Sequence, residues 1–146
     1  MDAQPNPLDL TKRESYRHWN AVTIRYSDQD SIGHVNNVSI AAYFEVARVQ
    51  LVQTVLDRFD CPNLDFILAR IAIDYLNEFH YPGTVDVGAR LMRIGNKSVT
   101  SVYGLFRDDL CLATSEAVNV FFDMETRSSV TPPDEVRAAL EAELAG

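Results

Sequence analysis

The spacing of apolar positions changes character twice along this chain. From Trp19 to Tyr26, Val22, Ile24 and Tyr26 alternate with Ala21, Thr23 and Arg25, a period of two that predicts a strand. From Val38 to about Phe59 the period is helical, with Ile40, Phe44, Ala47, Leu51 and Val55 recurring every three or four residues. Ala41, Ala42, Val46, Val49, Val52 and Leu56 widen that stripe, so the helix is expected to be wrapped by other structure over much of its circumference. Glu45 and Arg48 fall on the polar remainder, three residues apart, and are expected to pair. Cys61-Pro62-Asn63 ends the helical region.

Beyond it the period returns to two. Phe66 to Leu76 is almost continuously apolar around Arg70 and Asp74, which predicts a strand in mid-sheet. Tyr81-Pro82-Gly83 marks a turn, and Val85, Val87, Ala89 and Leu91 form the next strand. Gly95-Asn96 is a hairpin signal before Val99 to Arg107, and Asp108-Asp109 turns the chain into Leu110 to Asp123. Thr131-Pro-Pro-Asp134 introduces a short helical stretch, Glu135 to Leu144. A strand, a long helix and four strands joined by short turns predict an antiparallel meander packed on one helix, an α+β domain. Its core is placed at about residues 19–123 of a single domain covering 1–146. Residues 1–18 are read as a loosely held lead-in and the C-terminal helix as a tail.

Composition narrows the function classes. The 146 residues suffice for one sizeable core, and 47% apolar content is ordinary for a globular chain. A net charge of -8 argues against nucleic-acid binding, which requires a cationic surface. No run approaches the ~20 apolar residues of a membrane span, and the opening Met1-Asp-Ala-Gln-Pro lacks the pattern of a signal peptide. Cys61 and Cys111 have no metal-type spacing and read as free thiols of a cytoplasmic protein.

The chemistry concentrates in Arg25-Tyr-Ser-Asp-Gln-Asp-Ser-Ile-Gly-His-Val-Asn-Asn37, the link between the first strand and the helix. Asp28 and Asp30 precede a glycine turn, and Asn36 and Asn37 open the helix, with Asn36 suited to cap it. A carboxylate beside a helix N-terminus meets unpaired, outward-pointing N–H donors. That is a base-plus-oxyanion-site arrangement, and equally that of a capped loop. Gly33 supplies a backbone shape forbidden to other residues. Asp28 is expected to orient the loop. His34 is a candidate proton shuttle, or a loop histidine bonding its own turn.

The run Asp28-x-Asp30-x-x-Gly33-His34-Val-Asn-Asn37, followed by Tyr43-Phe-Glu-Val-Ala-Arg48, resembles the hotdog-fold acyl-CoA thioesterases, in the branch that includes 4-hydroxybenzoyl-CoA thioesterase. Tyr81-Pro82-Gly83, Gly95-Asn-Lys-Ser98, Ala113-Thr114 and Val120-Phe-Phe-Asp123 come after it in the family's order. The resemblance implies a single hotdog domain: a long central helix wrapped by a curved antiparallel sheet of about five strands. It implies hydrolysis of an acyl-CoA or related thioester, with Asp30 as general base or nucleophile and the Asn37 backbone N–H polarising the carbonyl. It also implies a homodimer or homotetramer whose sites lie between subunits. Asn37 replaces the tyrosine expected in the hydroxybenzoyl enzyme, so the aromatic substrate does not carry over.

Arg90, Arg93, Lys97 and Arg107 fall in a stretch with no acidic residue, on a chain that is acidic as a whole. Such a patch suits the phosphates of coenzyme A or serves only to keep the sheet soluble. Arg90, Arg93, Lys97 and Ser98 are the candidate coenzyme A contacts. No metal or separate cofactor is expected: Asp28, Asp30 and His34 offer hard ligands, but His18 and His80 lie far off in sequence. The competing readings are a hotdog dehydratase and a thioester-binding protein without hydrolytic activity.

Overall fold

Asn36 fixes the start of the long helix. Its side-chain oxygen accepts the Val38 N–H at 3.0 Å, filling one of the open donors of the first turn. No glycine or proline interrupts the helix, and α1 runs Asn37–Leu56 in the computed structural model, which describes residues 8–145. The strands are β1 (His18–Thr23), β2 (Leu64–Tyr75), β3 (Thr84–Ile94), β4 (Ser98–Arg107), β5 (Leu110–Asp123) and the short β6 (Ser128–Ser129); α2 spans Asp134–Ala145.

The strands form one antiparallel sheet in the order β1-β3-β4-β5-β2, with β6 paired to the end of β5. Register shifts at Leu68/Arg70, Leu91/Arg93 and Leu105/Phe106 curl it, since a bulge bends its strand and adds twist. Phe44, Ala47, Val52 and Val55 of α1 fill the curl against Val87, Tyr103, Leu105 and Phe121. This is the expected hotdog arrangement.

The details depart from the sequence pattern in five places. β1 stops at Thr23 because residues Tyr26–Asp28 turn into a 3-10 helix, held by the Asp28 carboxylate on the Arg25 N–H. α1 is covered on one face only within the protomer: Val38, Val46 and Val49 are exposed on the other. Arg48 lies on the buried face and Glu45 on the exposed one, so the expected pair between them does not form. β2 is an edge strand rather than a central one, bonded to β5 alone, with Ile67, Leu68 and Tyr75 exposed.

The fifth concerns the two ends. Residues 1–7 of the expected lead-in lie outside the described residues, but from Leu8 on the segment is packed. Tyr16 is buried with Phe106 and Val102 on the other face of the sheet, against Leu8 and Leu10, and its hydroxyl donates to the Leu10 carbonyl at 2.5 Å. α2 contributes Val136 and Leu140 to the main core. No helix among the described residues is long and apolar enough to cross a membrane, and Cys61 and Cys111 are both free.

Candidate active site

The loop between β1 and α1 is built around Asp28, which is 1% exposed. Its carboxylate accepts the Tyr43 hydroxyl at 2.5 Å, the Arg25 N–H at 2.9 Å, and Arg25 Nε and Nη2 at 3.1 and 2.9 Å. Burial alone would raise its pKa, but the hydrogen bonds from Tyr43 and Arg25 and the guanidinium charge hold it below the usual carboxylate range. Burial and the same bond push the Tyr43 hydroxyl up. The Asp28 carbonyl also takes the Asn36 N–H at 2.8 Å, which locks the loop to the helix start. Asp28 is therefore saturated, and its role is to hold the loop.

Asp30 is bonded differently. Its Oδ1 accepts the N–H groups of Ile32 and His34 at 3.0 and 3.1 Å. Its other oxygen, Oδ2, has no hydrogen-bond partner among the described residues, and Asp30 lines a cleft of about 290 Å³. Gly33 closes the turn with its N–H on the Asp30 carbonyl at 3.1 Å. Its φ of +87° explains the glycine, because nothing stands within 4 Å of where a Cβ would be.

Asn37 lines the same cleft as the first residue of α1, and its backbone N–H has no partner among the described residues. The Tyr75 hydroxyl reaches the Asn37 carbonyl at 3.3 Å. A carboxylate with one free oxygen and a free donor at a helix N-terminus therefore share one cleft. The dipole of the 20-residue helix adds positive potential there.

The opposite wall comes from the segment after β2, which sequence reading did not connect to the site. The Val35 N–H donates to the Phe79 carbonyl at 2.9 Å, drawing that segment onto the loop. Glu78 then meets His34, with Oε2 at 2.6 Å from Nε2. His80 Nδ1 donates to the Gly33 carbonyl at 2.8 Å, and the two imidazoles stand edge to face at 5.5 Å. His80, set aside for its distance in sequence, is thus a neighbour of the loop. Nothing in the spacing announces these contacts, because they join segments far apart in the chain. Among the described residues, no three His, Cys, Asp or Glu side chains are grouped so as to hold a metal ion.

The basic segment lies elsewhere. Thr84, at the near end of β3, follows the cleft segment, and the β3–β4 turn is at the far end, about 30 Å away at strand rise. Lys97 belongs to that turn, Ser98 opens β4 beside it, and Arg93 is spent partly on Thr100 Oγ1 at 3.5 Å. Arg90 donates to the Ser15 carbonyl at 3.3 Å. One protomer does not bring these four residues to Asp30. Arg107 instead reaches the segment that walls the cleft, holding the His80 and Pro82 carbonyls at 3.2 and 3.1 Å.

Comparison with known proteins gives a uniform picture. The model of the thioesterase-like superfamily matches residues 24–140. The chain is 25% identical over 140 residues to YsmA of Bacillus subtilis, covering 93% of this chain and 95% of that protein. Among solved structures, it is similar to a Pseudomonas aeruginosa protein, PA5185, at 30% identity, TM-score 0.75 and 90% and 94% coverage of the two chains. A predicted thioesterase from Bacillus stearothermophilus matches at 26% identity, TM-score 0.78 and 86% and 95% coverage. A Thermus thermophilus thioesterase solved with coenzyme A and zinc matches at 25% identity, TM-score 0.75 and 88% and 94% coverage.

Proposed function

The chain belongs to the thioesterase-like superfamily, and from that premise we propose that it hydrolyses an acyl-CoA, or a related acyl thioester, to a carboxylic acid and a free thiol. The observation that carries this reading is the free Oδ2 of Asp30 in the same cleft as the unpaired Asn37 N–H. The thioester carbonyl sits against that N–H, where a fixed donor and the helix dipole stabilise the developing oxyanion. Asp30 then acts in one of two ways. As a base it takes a proton from water, whose oxygen adds to the carbonyl; as a nucleophile it forms an anhydride that water opens. In both routes the C–S bond breaks and the thiolate leaves with a proton. In the first route Asp30 returns the proton it took from water; in the second the His34 imidazole, held by Glu78 in the same cleft, is the donor.

The working unit of this reading is a homodimer, or a tetramer built from it, formed through the free edge of β2. Two β2 strands paired antiparallel about a two-fold axis set the Leu64 end of one beside the Tyr75 end of the other. That pairing carries the partner subunit's Lys97 and the partner subunit's Ser98 toward the cleft, where coenzyme A phosphates would meet them. Free-thiol release from a panel of acyl-CoAs is the direct test. Steady turnover with matching acid production supports hydrolysis, loss or gain of water across the acyl double bond without thiol release identifies a dehydratase, and binding without either identifies a carrier.

A further inference from the structure

Arg48 is 6% exposed, on the face of α1 that packs against the sheet. Among the described residues its guanidinium makes no hydrogen bond and no ion pair, and Nη1 is wholly shielded. A buried cation with unfilled donors is strongly unfavourable unless an acceptor meets it. Three more shielded polar atoms without a partner belong to β5: Ser115 Oγ, and both Nδ2 and Oδ1 of Asn119. Strand alternation puts these two residues on the same face as Ala113, Ala117 and Phe121, which belong to the core under α1.

Tyr103, opposite Ser115 in the register, ties the sheet to the helix. Its ring stands 6.2 Å from Phe44, one turn before Arg48, and its hydroxyl bonds Ser101 Oγ at 2.6 Å. Burial pushes that hydroxyl up to about 12, against the opposing pull of the Ser101 bond and the Arg48 charge.

The patch borders the free edge of the sheet. Tyr75, Ile73, Ile71 and Leu68 of β2 face the helix side, yet Tyr75 and Leu68 are exposed and the two isoleucines only half-buried. This apolar trough begins at Tyr75, in the Asp30 cleft, and ends at Leu68, the register partner of Asn119. The β5 residues beside it are small: Ala113, Ser115 and Ala117. From Asn37 to Arg48 the helix advances about 16 Å, a distance suited to an acyl chain of intermediate length.

We propose that the acyl chain lies in this trough and that Arg48, with Ser115 and Asn119, receives a carboxylate at its far end. The preferred substrate is then the thioester of a dicarboxylic acid. This inference rests on the thioesterase reading and deepens it. A planar guanidinium matches a carboxylate in two-point geometry, and Asn119 supplies a further donor.

The test is a series of ω-carboxyacyl-CoAs of rising length, each compared with its methyl-ended counterpart on the native protein and on Arg48→Met. The native protein should favour the carboxylate-ended member by about 10- to 100-fold in kcat/KM at one chain length, and Arg48→Met should lose that preference while still cleaving the methyl-ended thioester. Equal rates for both members on the native protein, or the same preference in Arg48→Met, overturn the proposal. If Arg48→Met does not fold, Asn119→Leu takes its place, with a reduced preference expected and an unchanged one counting against the subsite. Thermal-shift titration of the native protein with free dicarboxylic and monocarboxylic acids separates the two levels of inference. A dicarboxylate-selective shift without thioester cleavage keeps the subsite and removes the hydrolase, whereas cleavage with no selectivity in either assay does the reverse.

Discussion

The Tyr43 hydroxyl donates to the buried carboxylate of Asp28 at 2.5 Å, joining the second turn of α1 to the loop that carries Asp30. The bond favours the ionised carboxylate, and with Arg25 it outweighs the cost of burial. A carboxylate whose folded pKa is lowered stabilises the protein fully above its unfolded value, here 3.8, and loses that contribution as pH falls through the folded value. Tyr43→Phe should therefore destabilise the fold at neutral pH by about 1–3 kcal/mol, the usual cost of removing one partner of a buried bond. It should also move the onset of acid unfolding to higher pH. Thermal unfolding of both proteins from neutral pH down to about pH 3 reads both effects. An acid limb that does not move in Tyr43→Phe would mean that Arg25 alone sets the Asp28 charge.

The two aspartates, alike in sequence, should separate cleanly by mutation. Asp30→Asn keeps an oxygen for the Ile32 and His34 N–H bonds and removes the charge at the free oxygen. Turnover should fall by about 10²–10⁴-fold with the unfolding midpoint nearly unchanged. Asp28→Asn should do the opposite in kind: it leaves Arg25 and Tyr43 without their ionised acceptor, so stability falls first and activity falls with the folded fraction. Paired measurements of kcat and melting temperature decide this. A fully active Asp30→Asn enzyme ends the proposed mechanism.

Much of this arrangement was legible in the chain because it is local. The turn glycine, the Asn36 cap and the hairpins depend on neighbours within a few residues, and there period and turn chemistry predict well. Burial was less legible. Arg48 looked solvent-facing beside Glu45, yet the rotation of α1 on the sheet turns one inward and the other out. β2 looked central because its residues are apolar on both faces, although it forms an open edge. Glu78 and His80 reach the site through the pairing of Val35 with Phe79 and their own bonds to His34 and Gly33, contacts between segments far apart in the chain that no local pattern encodes.

Gly33 isolates the conformational requirement of the loop from its packing. Space is open around the position, so Gly33→Ala meets no clash and is penalised only for its positive φ. The expected cost is about 1 kcal/mol, with Gly33→Asn milder because asparagine tolerates the left-handed region. Chemical denaturation of the two variants checks the order. A Gly33→Ala penalty much larger than this would show that the site needs the bare backbone for a ligand's approach, and adding coenzyme A during the titration would reveal it.

The last prediction concerns the distance between the basic turn and Asp30. If Arg93 and Lys97 act on coenzyme A phosphates, they do so across a subunit boundary, because within one protomer they lie at the far end of the sheet. Replacing both with glutamine should raise KM for acyl-CoA, leave acyl-pantetheine cleavage nearly unchanged, and weaken the salt dependence of coenzyme A binding. Disrupting the β2 edge should produce the same loss by another route. Leu68→Arg places a charge where Leu68 is 41% exposed in the protomer, so the isolated fold should tolerate it while edge pairing should not. Sedimentation should then show a 16.4 kDa species in place of the assembled form, with the binding of free coenzyme A, which leaves the trough empty, weakened at least as far as in the Arg93/Lys97 variant. A Leu68→Arg monomer that binds coenzyme A as tightly as the native protein would place the phosphate contacts inside one subunit. Arg107, which already reaches the cleft segment, would then be the cation to examine.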